Sequence, residues 1–82
     1  MSPDEIRARI LAVIPGAAIA VNDLTGTMDH FEVRVVAGQF EGLSLIDRHR
    51  MVYGAVQDVI GGPLHALSIK ALTPAESGAA PS

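Results

Sequence analysis

Apolar and polar residues alternate along the chain with two different periods, which separate predicted helices from predicted strands. The first segment repeats at helical spacing, with apolar residues at Ile6, Ile10, Val13 and Ile14. Ser2, Pro3 and Glu5 mark its start, because serine caps a helix, proline fits the first turn, and a glutamate three residues later completes a capping box. The Pro15-Gly16 pair predicts its end.

The next segments have the period of two that is typical of strands. Residues 17–21 form a short apolar run that ends in polar turn residues. The stretch HFEVRVV then alternates strictly: one face carries Phe31, Val33 and Val35, and the other carries His30, Glu32 and Arg34. The short connection between the two segments predicts a β-hairpin. A third strand is predicted over 65–72, after the turn sequence Gly61-Gly62-Pro63.

Residues 43–60 return to helical spacing and predict an amphipathic helix of about four turns. Its expected apolar stripe consists of Leu45, Ile46, Val52, Val56, Val59 and Ile60. His49 falls on this stripe, which predicts a packed, hydrogen-bonded histidine with a structural role. Arg48 and Arg50 flank His49 and are expected to point away from the core. Either arginine then serves as a solvated partner of Asp47 or as a contact to an acidic surface or DNA phosphate.

The predicted element order is therefore α-β-β-α-β. A strand, helix and strand within one sheet almost always form a right-handed crossover with parallel strands. We expect an α+β fold with a three-stranded mixed sheet, both helices on one face, and the other face open to water or a partner. One domain should span residues 1–74, and the tail 75–82 should be disordered because it has nothing to bury.

The composition of the chain disfavours several classes of function. The chain has 82 residues, a formal net charge of −3 and no cysteine. The negative charge disfavours a general phosphate-binding surface, and the lack of thiols excludes disulfides and all-cysteine metal sites within the chain. Without an apolar leader or a membrane-length apolar run, we expect a cytoplasmic protein with no membrane contact. Ser44 and Ser68 lack a visible base and acid, so a non-enzymatic protein is predicted.

The predicted topology brings two histidines to one end of the sheet. His30 begins the second strand and His65 begins the third, and adjacent strands lie ~4.8 Å apart. Two imidazoles there could reach one metal ion or one cluster. The alternatives are a strand-end His65 that hydrogen-bonds the backbone and a His30 that is an ordinary exposed side chain.

The segment QFEGLSLIDRHRMVYGAV and the later LHALSIKALTP together resemble the BolA family. The similarity rests on Phe40, Gly42, Ser44, the Arg48-His49-Arg50 run, Val52, Tyr53, His65-Ala66-Leu67, Lys70 and Thr73-Pro74. It covers roughly residues 3–74. The resemblance implies an α-β-β-α-β fold akin to class II KH domains.

The resemblance also implies a partner and a cofactor. BolA-like proteins associate with monothiol glutaredoxins and share a [2Fe–2S] cluster that is also bound by the glutaredoxin cysteine and glutathione. The strand-opening ligand of the family corresponds to His65 here. For the second ligand, His30 is the candidate in the cysteine-free loop NDLTGTMDH; some members carry this ligand earlier, where this chain has Thr27 or Met28. The expected output is iron–sulfur trafficking or iron and redox regulation.

Two other functions compete with this one. Some BolA-like proteins are regarded as transcriptional regulators, which suggests DNA binding through the second helix, with Arg48, Arg50 and Lys70 as contacts. RNA binding is not expected, because the GxxG loop of RNA-binding KH domains is missing. A metal-free module that docks on glutaredoxin is the remaining alternative.

Overall fold

The helices and strands follow the predicted order, with one further helix at the end. The computed structural model describes residues 2–24, 26, 30–60 and 66–78. In chain order the elements are α1 (Pro3–Val13), β1 (Ala18–Asp23), β2 (His30–Val36), a single 3-10 turn (Gly38–Phe40), α2 (Leu45–Gly54), β3 (Ala66–Leu72) and α3 (Pro74–Gly78).

The three strands form one mixed sheet in the order β1-β2-β3. β1 pairs with β2 in antiparallel orientation, as the predicted hairpin requires. β2 and β3 are parallel, and their register runs from His30 opposite Ala66 to Val36 opposite Leu72. The α+β prediction with a three-stranded mixed sheet is therefore confirmed.

One face of the sheet carries the core. Phe31, Val33 and Val35 of β2 are all fully buried, and they form one cluster with residues of α1 and α2. On the opposite face, Glu32 and Arg34 are exposed to solvent. The strict alternation seen in the sequence thus corresponds to a sheet that both helices cover on one face and that is open on the other.

Serine side chains begin both long helices. The Glu5 N–H donates to Ser2 Oγ at 3.2 Å, and the Asp47 N–H donates to Ser44 Oγ at 3.1 Å. Each bond satisfies a backbone donor that has no partner within the helix. The predicted start of α1, with Ser2 as the cap and Pro3 in the first turn, is confirmed.

The predicted apolar stripe of α2 is wrong at its amino end, and the helix is shorter than expected. Leu45 and Ile46 are 74% and 64% exposed, whereas Val52 is fully buried. The buried side of α2 is centred on Arg48 and Val52, so the stripe is rotated away from Leu45. Leu45 and Ile46 instead line the side of the helix that faces β3.

This difference predicts unequal costs of truncation along one helix. Leu45→Ala should change the free energy of unfolding by less than about 0.5 kcal/mol, because the side chain stays largely in water. Val52→Ala should cost about 2 kcal/mol, because it removes buried methyl groups and leaves a cavity. Urea denaturation of both variants measures the difference. Equal losses would mean that Leu45 is packed in solution.

The carboxyl-terminal residues also differ from the prediction. Residues 75–78, expected to be disordered, belong to the short helix α3; residues 79–82 of the predicted tail lie outside the described residues. None of the described helices has both the length and the hydropathy that crossing a bilayer requires.

Candidate functional site

His30 occupies the predicted end of the sheet. It is the first residue of β2 and pairs in register with Ala66, the first residue of β3. Its side chain is half-buried, and its carbonyl accepts a 2.8 Å hydrogen bond from the Leu24 N–H, which ties the hairpin together. His65 immediately precedes Ala66 in the sequence, and it lies outside the described residues together with Thr27 and Met28.

The side chains at this end of the sheet could supply some, but not all, of the ligands of a metal cluster. The whole chain has no cysteine, and the described residues contain no group of three or more histidine or acidic side chains that could hold a metal ion. These residues therefore cannot enclose an iron–sulfur cluster by themselves. An imidazole nitrogen can still replace one thiolate on an iron atom, so His30 fits as a contributing ligand when the other ligands come from a partner.

Arg48 does not point away from the core, contrary to the sequence-based expectation. It is 7% exposed. Its Nε donates to the Leu43 carbonyl at 3.1 Å, and its Nη1 donates to Glu76 Oε1 at 2.6 Å and to the Ala71 carbonyl at 3.4 Å. A guanidinium can be buried when its donors are satisfied in this way. Arg48 thus connects α2 to the end of β3 and to α3.

A reciprocal cap explains why α3 forms. The Thr73 N–H donates to Glu76 Oε1 at 2.7 Å, and the Glu76 N–H donates to Thr73 Oγ1 at 3.1 Å. This is a capping box, and Arg48 adds a charge-assisted bond to the same carboxylate. The hydrogen bond from the Thr73 backbone, followed by that from Arg48, lowers the pKa of Glu76 below its ordinary value of 4.5.

The lowered pKa of Glu76 predicts how acid acts on the protein. A carboxyl group with a depressed folded-state pKa contributes stability above its unfolded-state pKa and loses it as the pH falls through the folded-state pKa. Glu76→Gln should therefore be less stable than the native chain at pH 7, and this gap should shrink as the pH falls below about 4.5. Chemical denaturation across pH 3–7 tests this. A gap independent of pH would exclude a stabilising role for the ionised carboxylate.

His49 is exposed, so its predicted packing in the core is wrong, whereas its predicted hydrogen bonding is observed. Its Nε2 lies 3.3 Å from the Ile69 carbonyl, on the outer strand of the sheet. The ring lies beside the buried face of α2 and lines a groove between α2 and β3. This groove has a volume of about 440 Å³, and the exposed side chains of Leu45 and Ile46 also line it. Helical periodicity predicts that Leu45 and Ile46 are buried, but both side chains form part of this exposed groove.

The three cations predicted to contact a partner do not share one surface. Arg48 is held in the interior. Arg50 is exposed on α2, with Nη1 3.9 Å from Asp47 Oδ1. Lys70 is exposed and, through its register with Arg34, belongs to the open face of the sheet. Lys70 was a predicted partner contact, whereas Arg34 was not, because the pairing of these two residues depends on the strand register.

Comparison with known proteins agrees with this architecture. Residues 15–76 match the family model described as BolA-like protein. The chain is 53% identical over 51 residues to human BolA-like protein 1, although it spans 37% of that protein's length. It is 33% identical over 73 residues to an uncharacterised protein of Rickettsia prowazekii, covering 89% of this chain and 95% of the relative.

A solved structure gives the same result in three dimensions. BolA1 from Arabidopsis thaliana superposes with a TM-score of 0.80 and 31% sequence identity, over 89% of this chain and 92% of that one. The match includes the order of elements that brings the starts of β2 and β3 together. On the combined evidence of sequence and structure, the chain belongs to the BolA family.

Proposed function

We propose that this chain is a non-enzymatic adaptor that pairs with a monothiol glutaredoxin and co-ligates a glutathione-bound [2Fe–2S] cluster. His65 would be its first ligand and His30 its second. The cluster is cargo in this proposal, and the biological role of the complex is iron–sulfur trafficking or iron and redox regulation.

The observation that supports the proposal most is the register of β2 and β3. His30 faces Ala66 across the ladder, and Ala66 directly follows His65 in the sequence. Because the chain has no cysteine, thiolate ligands must come from the glutaredoxin and glutathione. Neutral imidazoles remove negative charge from such a cluster and make its ligation sensitive to pH.

DNA binding through α2 receives less support. Arg48, one of the two helix contacts on which it depends, is engaged by Glu76 and by two backbone carbonyls. Arg50 alone supplies one positive charge for phosphate binding, on a chain whose net charge is −3. Affinity that rests on phosphate contacts falls steeply with salt, so a steep salt dependence of binding to a DNA duplex would favour this alternative.

A mixing experiment tests the proposal. The purified chain is titrated into a cluster-loaded, glutathione-bound monothiol glutaredoxin and followed by visible absorption and circular dichroism. We expect a changed spectrum that saturates at one-to-one stoichiometry. An unchanged spectrum, with no complex on a sizing column, would remove the proposed mechanism. A complex without a spectral change would favour a metal-free docking module.

His30→Ala should shift the visible spectrum of the complex without preventing its formation. If His30 ligates the cluster, water or a partner side chain must take its place, and the ligand field of one iron atom changes. Visible circular dichroism of native and variant complexes at equal cluster content measures the shift. Identical spectra would assign the second ligand to another group.

A further inference from the structure

Among the described residues, the lysine and arginine side chains fall into two sets, those in ion pairs with a carboxylate and those without one. The sequence has six lysine and arginine residues. Four of them form ion pairs within the chain, and these are Arg7–Asp4, Arg9–Asp58, Arg48–Glu76 and Arg50–Asp47. The remaining two, Arg34 and Lys70, have no carboxylate within ion-pair distance among the residues that the structure describes.

These two cations are direct neighbours. Arg34 of β2 and Lys70 of β3 are register partners on the parallel ladder, and both are exposed on the open face of the sheet. Like charges at facing positions of adjacent strands destabilise a sheet. Glu32 shares this face, but it forms no ion pair with either cation. Within the described part of the chain, the fold therefore maintains two adjacent positive charges without a compensating carboxylate.

The surroundings leave the Arg34 guanidinium accessible. On β1, the residue opposite Arg34 is Ala20, and the small side chains of Ala18 and Ala20 help to form a shallow hollow of about 170 Å³ beside it. On the other side, Arg34 Nη2 lies 3.4 Å from Ser77 Oγ of α3. The Arg34 guanidinium thus borders a hollow with small walls on its β1 side. The Lys70 position and the Ser77 hydroxyl lie on its other side.

We propose that this cation pair on the open sheet face binds a carboxylate-rich segment of a partner protein. A guanidinium and an ammonium side by side match a pair of carboxylates, with the guanidinium able to form two parallel hydrogen bonds. A carboxylate segment is favoured over nucleic acid because two cations on a chain of net charge −3 cannot follow a run of phosphates. The proposal is independent of cluster ligation.

The test uses the ¹⁵N-labelled chain and a synthetic peptide of four consecutive glutamates flanked by alanines, at low ionic strength. We expect amide shifts concentrated around residues 18–20, 34–36 and 68–72. Arg34→Gln combined with Lys70→Gln should weaken binding about tenfold, because two charge-assisted contacts are lost. The control combines Arg7→Gln with Arg50→Gln, which lowers the net charge equally and should bind like the native chain. If the first double variant does not fold, Lys70→Gln alone should still weaken binding about threefold.

Three outcomes would overturn the proposal. They are an absence of shifts at millimolar peptide, shifts spread evenly over both sets of cations, and equal weakening in the two double variants. A short DNA duplex is titrated in parallel at the same ionic strength. Tighter binding of the duplex to the same residues would replace the carboxylate ligand by phosphate and so contradict the assignment.

Discussion

His65→Ala is expected to abolish the shared cluster, or to destabilise it strongly, while the fold is retained. Alanine has no donor atom, so the variant would leave one iron position of the proposed cluster without a ligand from this chain. A cysteine-free chain has no thiolate to replace it. Among the described buried core residues, only Ala71 belongs to β3, so the sheet should still assemble. Visible absorption and circular dichroism of the glutaredoxin complex measure the loss, and far-ultraviolet circular dichroism checks the fold.

The third histidine of the chain provides a matched control. His49 is exposed and contacts the Ile69 carbonyl in the middle of β3, away from the strand starts. His49→Ala should therefore leave the cluster spectrum as it is in the native complex. A His65→Ala complex with an unaltered spectrum would show that His65 is not a ligand. Equal losses in both variants would point to a general effect on docking instead.

The sheet could be predicted from the sequence because its determinants are local. Strict alternation over residues 30–36 determines which side chains face the core, since neighbouring residues of a strand point to opposite faces. The parallel pairing of β2 and β3 follows from the rule for strand–helix–strand connections. Together these two features also predicted where His30 lies, before any contact was known.

Arg48 could not be predicted, because its burial depends on groups far away in the sequence. A charged residue within a helix is assigned to solvent by default, since burying an unpaired charge is costly. Here the compensating groups are the Ala71 carbonyl and the Glu76 carboxylate, 23 and 28 residues later. Because Arg48 lies on the buried side of α2, the buried face of the helix differs from the predicted one. Leu45 and His49 consequently line the groove.

The formation of α3 and the adjacency of Arg34 and Lys70 likewise depend on residues that are distant in the sequence. A Thr-x-x-Glu pattern is a known helix start, but five residues are too few for a helix that nothing else stabilises. Arg48 supplies the missing contact through Glu76. The adjacency of Arg34 and Lys70 depends on the exact register, and a shift of one residue would place them on opposite faces.

Arg48→Ala is expected to lower the free energy of unfolding by about 2 kcal/mol, because buried carbonyl acceptors lose their donor. The Glu76 side chain is 46% exposed, so water can solvate its carboxylate once Arg48 is removed. The variant leaves the Leu43 and Ala71 carbonyls without their donor and removes the partner of the Glu76 carboxylate. It also removes the aliphatic stem of a side chain that is buried. A chain of 82 residues has a total stability of roughly 4–12 kcal/mol, so this is a large share.

Arg50→Ala is the control for this prediction, because it removes the same residue type two positions along the same helix. Its Nη1 lies 3.9 Å from Asp47 Oδ1, and the side chain is 78% exposed, so the loss should stay below about 0.5 kcal/mol. Urea denaturation at neutral pH measures both variants. A small effect of Arg48→Ala would mean that α3 and its ion pair are not held in solution. A large effect confined to Arg48 would show that a residue expected at a partner surface instead stabilises the fold.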